Sequence, residues 1–134
     1  MSFDKLKLIE KAIEARENAY APYSNFKVGA AILLSNGVYI LGCNVENASY
    51  GLTNCAERTA LFSLISNGYK KSDVIAMAIV GATPEPISPC GACRQVMSEL
   101  LPSDCLVILA NLDKKYIEYS NSDLLPYSFK EECL

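Results

Sequence analysis

Cysteines are the residues of this chain with the clearest capacity for chemistry, because it has six of them and no histidine. Cys90 and Cys93 form a C-x-x-C pair in the run Pro-Cys-Gly-Ala-Cys-Arg-Gln, and Cys55 begins the run Cys-Ala-Glu-Arg. A C-x-x-C pair alone is compatible with a redox dithiol, a structural zinc site or chance. A third thiol favours a metal, and three thiolates favour zinc. Three protein ligands leave one tetrahedral position open for water, which is typical of catalytic zinc.

Glu57 is the acid–base candidate beside these cysteines. It follows Cys55 by two positions, so the two side chains would not share a face of a regular helix. Side chains in the first turn can nevertheless converge on the space beyond the helix end, where a carboxylate would reach a metal-bound water without ligating the metal. The alternative is that Glu57 only complements the helix dipole.

Each cysteine run contains one arginine after its cysteines, and at least one of the two arginines is expected to be exposed on its helix. These are Arg58 and Arg94. We predict that Arg58 donates to a thiolate, because three thiolates and Zn²⁺ together carry a negative charge that a nearby guanidinium would offset.

Length, charge and hydropathy argue against a nucleic-acid-binding protein and against a membrane protein. A length of 134 residues predicts a single domain over 1–134. A net charge of −3 and a pI of about 4.9 argue against a partner that is a nucleic acid polymer. No apolar run reaches the ~20 residues of a membrane span, and the first residues do not resemble a signal peptide. We therefore expect a cytoplasmic protein with reduced thiols and a small-molecule ligand.

Hydrophobic periodicity and turn residues predict the order α-β-β-α-β-α-β-β. The predicted segments are a helix over 3–19, capped by Ser2 or Asp4, strands over 26–34 and 38–43, a helix over 55–66 capped by Asn54, a strand over 74–80, a helix over 91–101, and strands over 106–110 and 116–119. This order predicts an α/β fold, a three-layer α/β/α sandwich with a mixed sheet of about five strands. Both cysteine runs then lie at strand-to-helix junctions, where open α/β sheets bind ligands and helix N-termini favour thiolates.

Four runs of the sequence carry a resemblance that covers nearly the whole chain. They span 20–31, 44–51, 55–58 and 89–95, and in this order they resemble the small, homotetrameric, zinc-dependent cytidine deaminases. The resemblance implies the cytidine deaminase-like fold, a homotetramer and one zinc ion per subunit, bound by Cys55, Cys90 and Cys93. It also implies that Glu57 carries a proton from the zinc-bound water to N3 of the pyrimidine, while hydroxide attacks C4 and ammonia leaves.

The same resemblance implies the substrate and its contacts. Free cytidine and 2′-deoxycytidine would be converted to uridine and 2′-deoxyuridine in pyrimidine salvage. Asn44 and Glu46 would bind the ribose hydroxyls, the backbone around Val45 and Ala56 would face the nucleoside, and Phe26 would stack on the base. Asn44 as a turn residue and Phe26 as a core residue of a strand are the alternatives.

Two further aromatic residues are implied to lie between subunits. Tyr50 would lie at a subunit boundary, and Phe129 would reach the site of a neighbouring subunit.

Other interpretations remain open from the sequence. A related deaminase would act on a cytosine-nucleoside antibiotic such as blasticidin S. A binding module with structural zinc would need a fourth cysteine ligand, and a redox protein would form a disulfide from its C-x-x-C pair. The other cysteines are not assigned to metal: Cys43 and Cys105 are expected to be buried, and Cys133 to be an exposed thiol.

Overall fold

A mixed five-stranded sheet forms the centre of the molecule, in a computed structural model that describes residues 2–134. The strands are β1 (Val28–Leu34), β2 (Tyr39–Cys43), β3 (Val74–Gly81), β4 (Leu106–Asn111) and β5 (Tyr116–Ser120). They are arranged in the order β2-β1-β3-β4-β5. Only the β3–β4 pair is parallel within the described part of the sheet. The predicted sheet of about five strands is confirmed.

Three α-helices complete two further layers. They are α1 (Lys5–Arg16), α2 (Ala56–Ser66) and α3 (Gly91–Leu100). Leu8 and Ile9 of α1 pack in a core with residues of β1, β3 and β4. Leu61 of α2 and Met97 of α3 pack in a second core with other residues of the same strands. Because strand side chains alternate between faces, the two cores lie on opposite sides of the sheet, and the α/β/α prediction is confirmed.

Helix α1 begins at Lys5, two residues later than predicted, and also ends earlier than predicted. The Asp4 side chain accepts a hydrogen bond of 3.0 Å from the Lys7 amide, which confirms it as a cap. The helix ends at Arg16, not at residue 19, and β1 begins at Val28, not at residue 26. The reason is the intervening loop, in which Tyr20 forms a parallel bridge with Val45.

The predicted N-cap of α2 is wrong. Cys55 occupies that position, and Asn54 instead forms an antiparallel bridge with Val45 and donates from its side chain to the Thr59 hydroxyl. These two bridges hold the ends of the segment 44–54 together and beside Tyr20, and the segment contains a short 3₁₀ turn at Tyr50–Leu52. This arrangement fixes where α2 starts.

Two glycines allow the helices to approach the sheet closely. A Cβ on Gly42 of β2 would lie 2.4 Å from the Ala60 nitrogen of α2, and one on Gly29 of β1 would lie 2.0 Å from the Ala12 carbonyl oxygen of α1. Both distances are far below van der Waals contact, so only glycine permits this packing. The position of α2 therefore depends on Gly42.

The remaining segments are short. The chain ends in irregular backbone with 3₁₀ turns at Asn121–Leu124 and Glu131–Cys133. Within residues 2–134, no helix combines the length and the apolar character needed to cross a membrane.

Candidate metal centre and active site

Three cysteines converge at the edge of the sheet where β2 and β3 end. Cys55 is the N-cap of α2, Cys90 is the N-cap of α3, and Cys93 lies in the first turn of α3. Their sulfur atoms all lie within 4.8 Å of one another. The three residues predicted as metal ligands are thus brought together, across the 35 positions that separate Cys55 from Cys90 in the chain.

The sulfurs are suited to a metal by their surroundings. Neither N-cap cysteine caps its helix through its side chain, so the sulfurs remain available as ligands. Cys93 is buried, Cys55 is half-buried and Cys90 is exposed, which gives the site a closed and an open side. In the described residues this group contains three thiols and no fourth ligand, the number typical of a zinc site with an open coordination position.

Neighbouring groups favour the thiolate form. Arg58 Nη2 lies 3.3 Å from Cys55 Sγ and donates to it. A hydrogen bond from the Cys93 thiol and the Arg58 guanidinium together lower the pKa of Cys55 to about 5. The pKa of Cys93 is raised, because it holds the proton shared with Cys55 and because it is buried. The pair readily holds one negative charge, which a divalent cation would increase by displacing the second proton.

Glu57 is buried at 5% exposure in the first turn of α2. Burial raises the pKa of its carboxyl, and the nearby Cys55 thiolate adds to the shift. A carboxylate that only complemented the helix dipole would gain nothing from this burial. A buried carboxyl with a raised pKa beside a thiol cluster is instead the arrangement expected of an acid–base group.

A cavity of about 260 Å³ opens beside Glu57 and the cysteines. Its lining residues are Ser24, Phe26, Val28, Asn44, Glu46, Thr53, Cys55, Ala56, Glu57, Ile87, Ser88 and Cys90. A larger cavity of about 620 Å³ lies elsewhere, beside the start of α1, and is not lined by any cysteine of the cluster. The chemistry of the lining, not its size, therefore identifies the candidate active site.

Asn44 and Glu46 both line the cavity and are fixed by the loop before β1. The Asn44 side chain accepts from the Val28 amide and donates to the Phe26 carbonyl, at 2.8 Å each. Glu46 accepts from the amides of Tyr23 and Ser24 and from the Ser24 hydroxyl. The Ser24 hydroxyl is the main cause of a lowered pKa of Glu46, so this carboxylate is an ionised acceptor.

Phe26 forms an apolar wall together with Ile87. Phe26 is 41% exposed, so it is not the core residue of a strand that its sequence context allowed. A Cβ on Gly81 would lie 2.6 Å from Ile87 Cδ1 and 3.4 Å from Phe26 Cζ. The end of β3 thus lies directly under both side chains, and the absence of a side chain there makes room for them.

The other predicted residues lie in different surroundings. Val45 is half exposed and does not line this cavity. Tyr50, 78% exposed, lines an adjacent cavity with Tyr23 and Glu46. Phe129 is 59% exposed, and its carbonyl accepts from Gln95.

The remaining cysteines lie outside the cluster. Cys105 is buried, Cys43 is only half-buried and Cys133 is exposed.

Sequence reasoning missed five residues that line the cavity: Val28 at the start of β1, and Ser24, Thr53, Ile87 and Ser88. The last four lie in turn-rich loops, where proximity to Asn-rich and Pro-rich segments was the only signal available. The expectation for the arginines also needs correction, because Arg94 is half-buried and hydrogen-bonded to backbone instead of extending freely into solvent.

Comparison with known proteins agrees with this site. A family model described as "Cytidine and deoxycytidylate deaminase zinc-binding region" matches residues 3–109. The cytidine deaminase of Halalkalibacterium halodurans is 57% identical over 129 residues, 96% of each chain. That of Sporosarcina psychrophila is 47% identical over 98% of this chain and 95% of its own. The crystal structure of cytidine deaminase from Burkholderia pseudomallei superposes with a TM-score of 0.92 at 56% identity, over 95% of this chain and 100% of that one.

The family model and the thiol cluster together identify the cofactor. The matched family is zinc-binding, and the chain places Cys55, Cys90 and Cys93 where they can hold one metal ion. Zinc as the cofactor is confirmed.

Proposed function

The chain belongs to the cytidine and deoxycytidylate deaminase family, and we propose that it hydrolyses free cytidine and 2′-deoxycytidine to uridine and 2′-deoxyuridine, releasing ammonia. The observation that carries this proposal is the buried Glu57 carboxyl in a cavity shared with the thiol cluster. A net charge of −3 further favours a free nucleoside over a nucleic acid. Such a reaction serves pyrimidine salvage.

Glu57 is the group that moves protons in this proposal. Zinc, when bound by the three cysteines, supplies Lewis-acid activation of water. The Glu57 carboxylate takes one proton from the attacking water and passes it to N3 of the pyrimidine, while the water oxygen bonds to C4. It then takes the remaining proton from the new C4 hydroxyl and gives it to the amino group, so that the C–N bond breaks, ammonia leaves and a carbonyl remains at C4. Burial raises the pKa of the Glu57 carboxyl, which favours its taking up a proton during the reaction.

The loops hold the nucleoside in place. Asn44 and Glu46 hydrogen-bond the ribose hydroxyls: Asn44 keeps a second N–H after its bond to the Phe26 carbonyl, and Glu46 is ionised and acceptor-only. Phe26 stacks on the pyrimidine, and the backbone around Val45 and Ala56 faces the nucleoside.

We further propose a homotetramer in the cytoplasm. Several large apolar side chains are exposed beside the cavity and on α2: Tyr20, Tyr23, Tyr50, Leu52, Phe62 and Ile65. Apolar patches of this kind are commonly covered by other subunits. Tyr50 would then lie at a subunit boundary and Phe129 would reach a neighbouring site. The six free cysteines are consistent with a reducing compartment.

The test combines zinc content with turnover. We expect about one zinc per chain and loss of ultraviolet absorbance when cytidine is added, and light scattering measures the subunit number. Glu57→Gln should retain zinc and lose turnover by ~10²–10⁴-fold. Cys90→Ala should lose zinc and unfold more easily.

Two results would contradict the proposal. Normal turnover by the Glu57→Gln variant would exclude Glu57 as the proton carrier. Zinc binding without cytidine turnover, with turnover of blasticidin S in a parallel assay, would assign the antibiotic as substrate instead.

A further inference from the structure

The segment that precedes Cys90 has no regular secondary structure. It runs from the end of β3 to the start of α3 and contains three prolines, at 84, 86 and 89. Asn111 Nδ2 donates to the Pro84 carbonyl at 3.0 Å, which holds its first half. Its second half, which lies next to the metal ligand Cys90, is held by Arg94.

Arg94 contacts this second half with two of its three guanidinium nitrogens. Nε donates to the Pro89 carbonyl at 2.9 Å, and Nη2 donates to the Ser88 hydroxyl at 2.6 Å. The third nitrogen, Nη1, donates to the Leu124 carbonyl at 2.9 Å. Leu124 is buried at 5% exposure and packs in the core on the α2–α3 side of the sheet. The planar guanidinium therefore connects the segment before Cys90 to a fixed point in the core.

The two ligands of α3 depend on this contact to different degrees. Cys93 is buried within the first turn of the helix, so the helix itself fixes it. Cys90 is the exposed N-cap, and its own side chain makes no capping bond. Its carbonyl accepts from the Arg94 amide of α3 at 3.0 Å, so the helix holds one side of its backbone and the residues before it hold the other.

We propose that Arg94 is a positioning residue of the zinc centre, which fixes Cys90 relative to Cys93 by holding Ser88 and Pro89 to the Leu124 carbonyl. The inference rests on the proposed zinc enzyme and assigns a role that is distinct from that of Arg58, which contacts a sulfur directly. Arg94 acts one step further out, through the backbone that carries a ligand. Outer groups of this kind change metal affinity by ~10–100-fold when they are removed.

Gln95 provides a matched control. It is the next residue of α3, and its Nε2 donates to the Phe129 carbonyl at 2.9 Å. Like Arg94, it holds the C-terminal segment to α3, but its side chain makes no hydrogen bond to Ser88 or Pro89 in the described structure. Loss of Gln95 therefore loosens the C-terminal segment without releasing the segment before Cys90.

The experiment measures zinc release from zinc-loaded protein into an excess of a chromophoric chelator. The variants are Arg94→Met, Arg94→Lys, Ser88→Ala and Gln95→Ala, each also prepared with Co²⁺ so that the thiolate-to-metal absorption reports ligand geometry. Arg94→Met should release zinc ~10–100-fold faster and change the Co²⁺ spectrum. Arg94→Lys should recover part of the loss, because an ammonium reaches one of the three acceptors. Ser88→Ala should show a smaller increase, and Gln95→Ala should match the wild-type protein.

Each result decides the proposal. Wild-type release and spectrum in Arg94→Met, or an equal increase in Gln95→Ala, would overturn it. If Arg94→Met does not fold, Ser88→Ala with an unchanged Tm must still release zinc faster, and equal release would refute the role of Arg94. Wild-type protein that holds no zinc would instead refute the proposed function itself.

Discussion

Replacing Gly42 by alanine should displace α2 and, with it, two groups of the proposed active site. The added Cβ would lie 2.4 Å from the Ala60 nitrogen and 2.7 Å from the Ala56 carbonyl oxygen, whereas ordinary contact begins near 3.4 Å. Because both neighbours are backbone atoms, no side-chain rotation relieves the overlap, and α2 has to move by about 1 Å. Cys55 and Glu57 lie at the start of this helix and move with it.

The displacement of α2 should lower both the free energy of unfolding and kcat, by separate mechanisms. Overpacking of this kind lowers the free energy of unfolding by about 1–3 kcal/mol, which for a chain of this size lowers Tm by about 3–4 °C per kcal/mol. A misplacement of ~1 Å in a catalytic group lowers the rate by up to ~10²-fold. We expect kcat of zinc-loaded Gly42→Ala to fall by about 10- to 100-fold, beyond what the unfolded fraction explains.

Gly29→Ala is the matched control in the neighbouring strand. Its Cβ would lie 2.0 Å from the Ala12 carbonyl oxygen and 2.6 Å from the Arg16 nitrogen, both in α1 on the opposite face of the sheet. It should lower Tm at least as much and leave kcat per folded, zinc-loaded chain much less changed. Urea unfolding, kcat and the Co²⁺ absorption spectrum of both variants test this. An equal fall of kcat in the two variants, or a wild-type kcat in Gly42→Ala, would refute the link between Gly42 and the site.

Three other predictions concern metal, pH and the loop before β1. Removal of zinc by a chelator should lower Tm and make three more thiols reactive towards a disulfide reagent, because binding and folding are coupled. Burial raises the pKa of the Cys105 thiol to about 12, above the ordinary thiol value of the unfolded chain. The contribution of this thiol to the free energy of unfolding is therefore fully present below pH ~8.5 and is lost as the pH rises towards 12. Urea unfolding at pH 8 and pH 10 should therefore show a larger loss for wild type than for Cys105→Ala. Asn44→Ala leaves the Val28 amide and the Phe26 carbonyl unpaired, so the free energy of unfolding should fall by about 1–3 kcal/mol in urea titration and KM for cytidine should rise.

Much of the fold could be predicted because its signals are local. The buried strand β3 is almost wholly apolar, and the turn at Gly37, with φ 85°, separates β1 from β2 as the Ser-Asn-Gly run indicated. Helix ends were harder to predict. Asn is a common N-cap and Cys is not, so capping preference favours Asn54 over Cys55. The pairing of Asn54 with Val45 is a tertiary contact that no local propensity contains.

The site was predictable where spacing along the chain expresses chemistry. Cys90 and Cys93 belong to one helix start, and their C-x-x-C spacing together with a third thiol favours one shared metal ion. The lining residues Ser24 and Ile87 carry no such pattern. Their positions depend on loop backbone that is fixed by distant partners, such as the Glu46 carboxylate for Ser24 and the Ala110 carbonyl for Ile87.

The caps of α2 and α3 show why local rules fail at this site. An N-cap normally stabilises its helix by accepting a hydrogen bond from an amide of the first turn. Cys55 and Cys90 hold the cap positions but make no such bond, so their sulfurs lie at the positive end of each helix dipole without accepting from a first-turn amide. That same field favours thiolates, and a metal ion bound by these sulfurs would join the two helix starts. The two α-helix starts where the sequence departs from good capping are therefore those that present the thiol cluster, and the departure itself marks the candidate site.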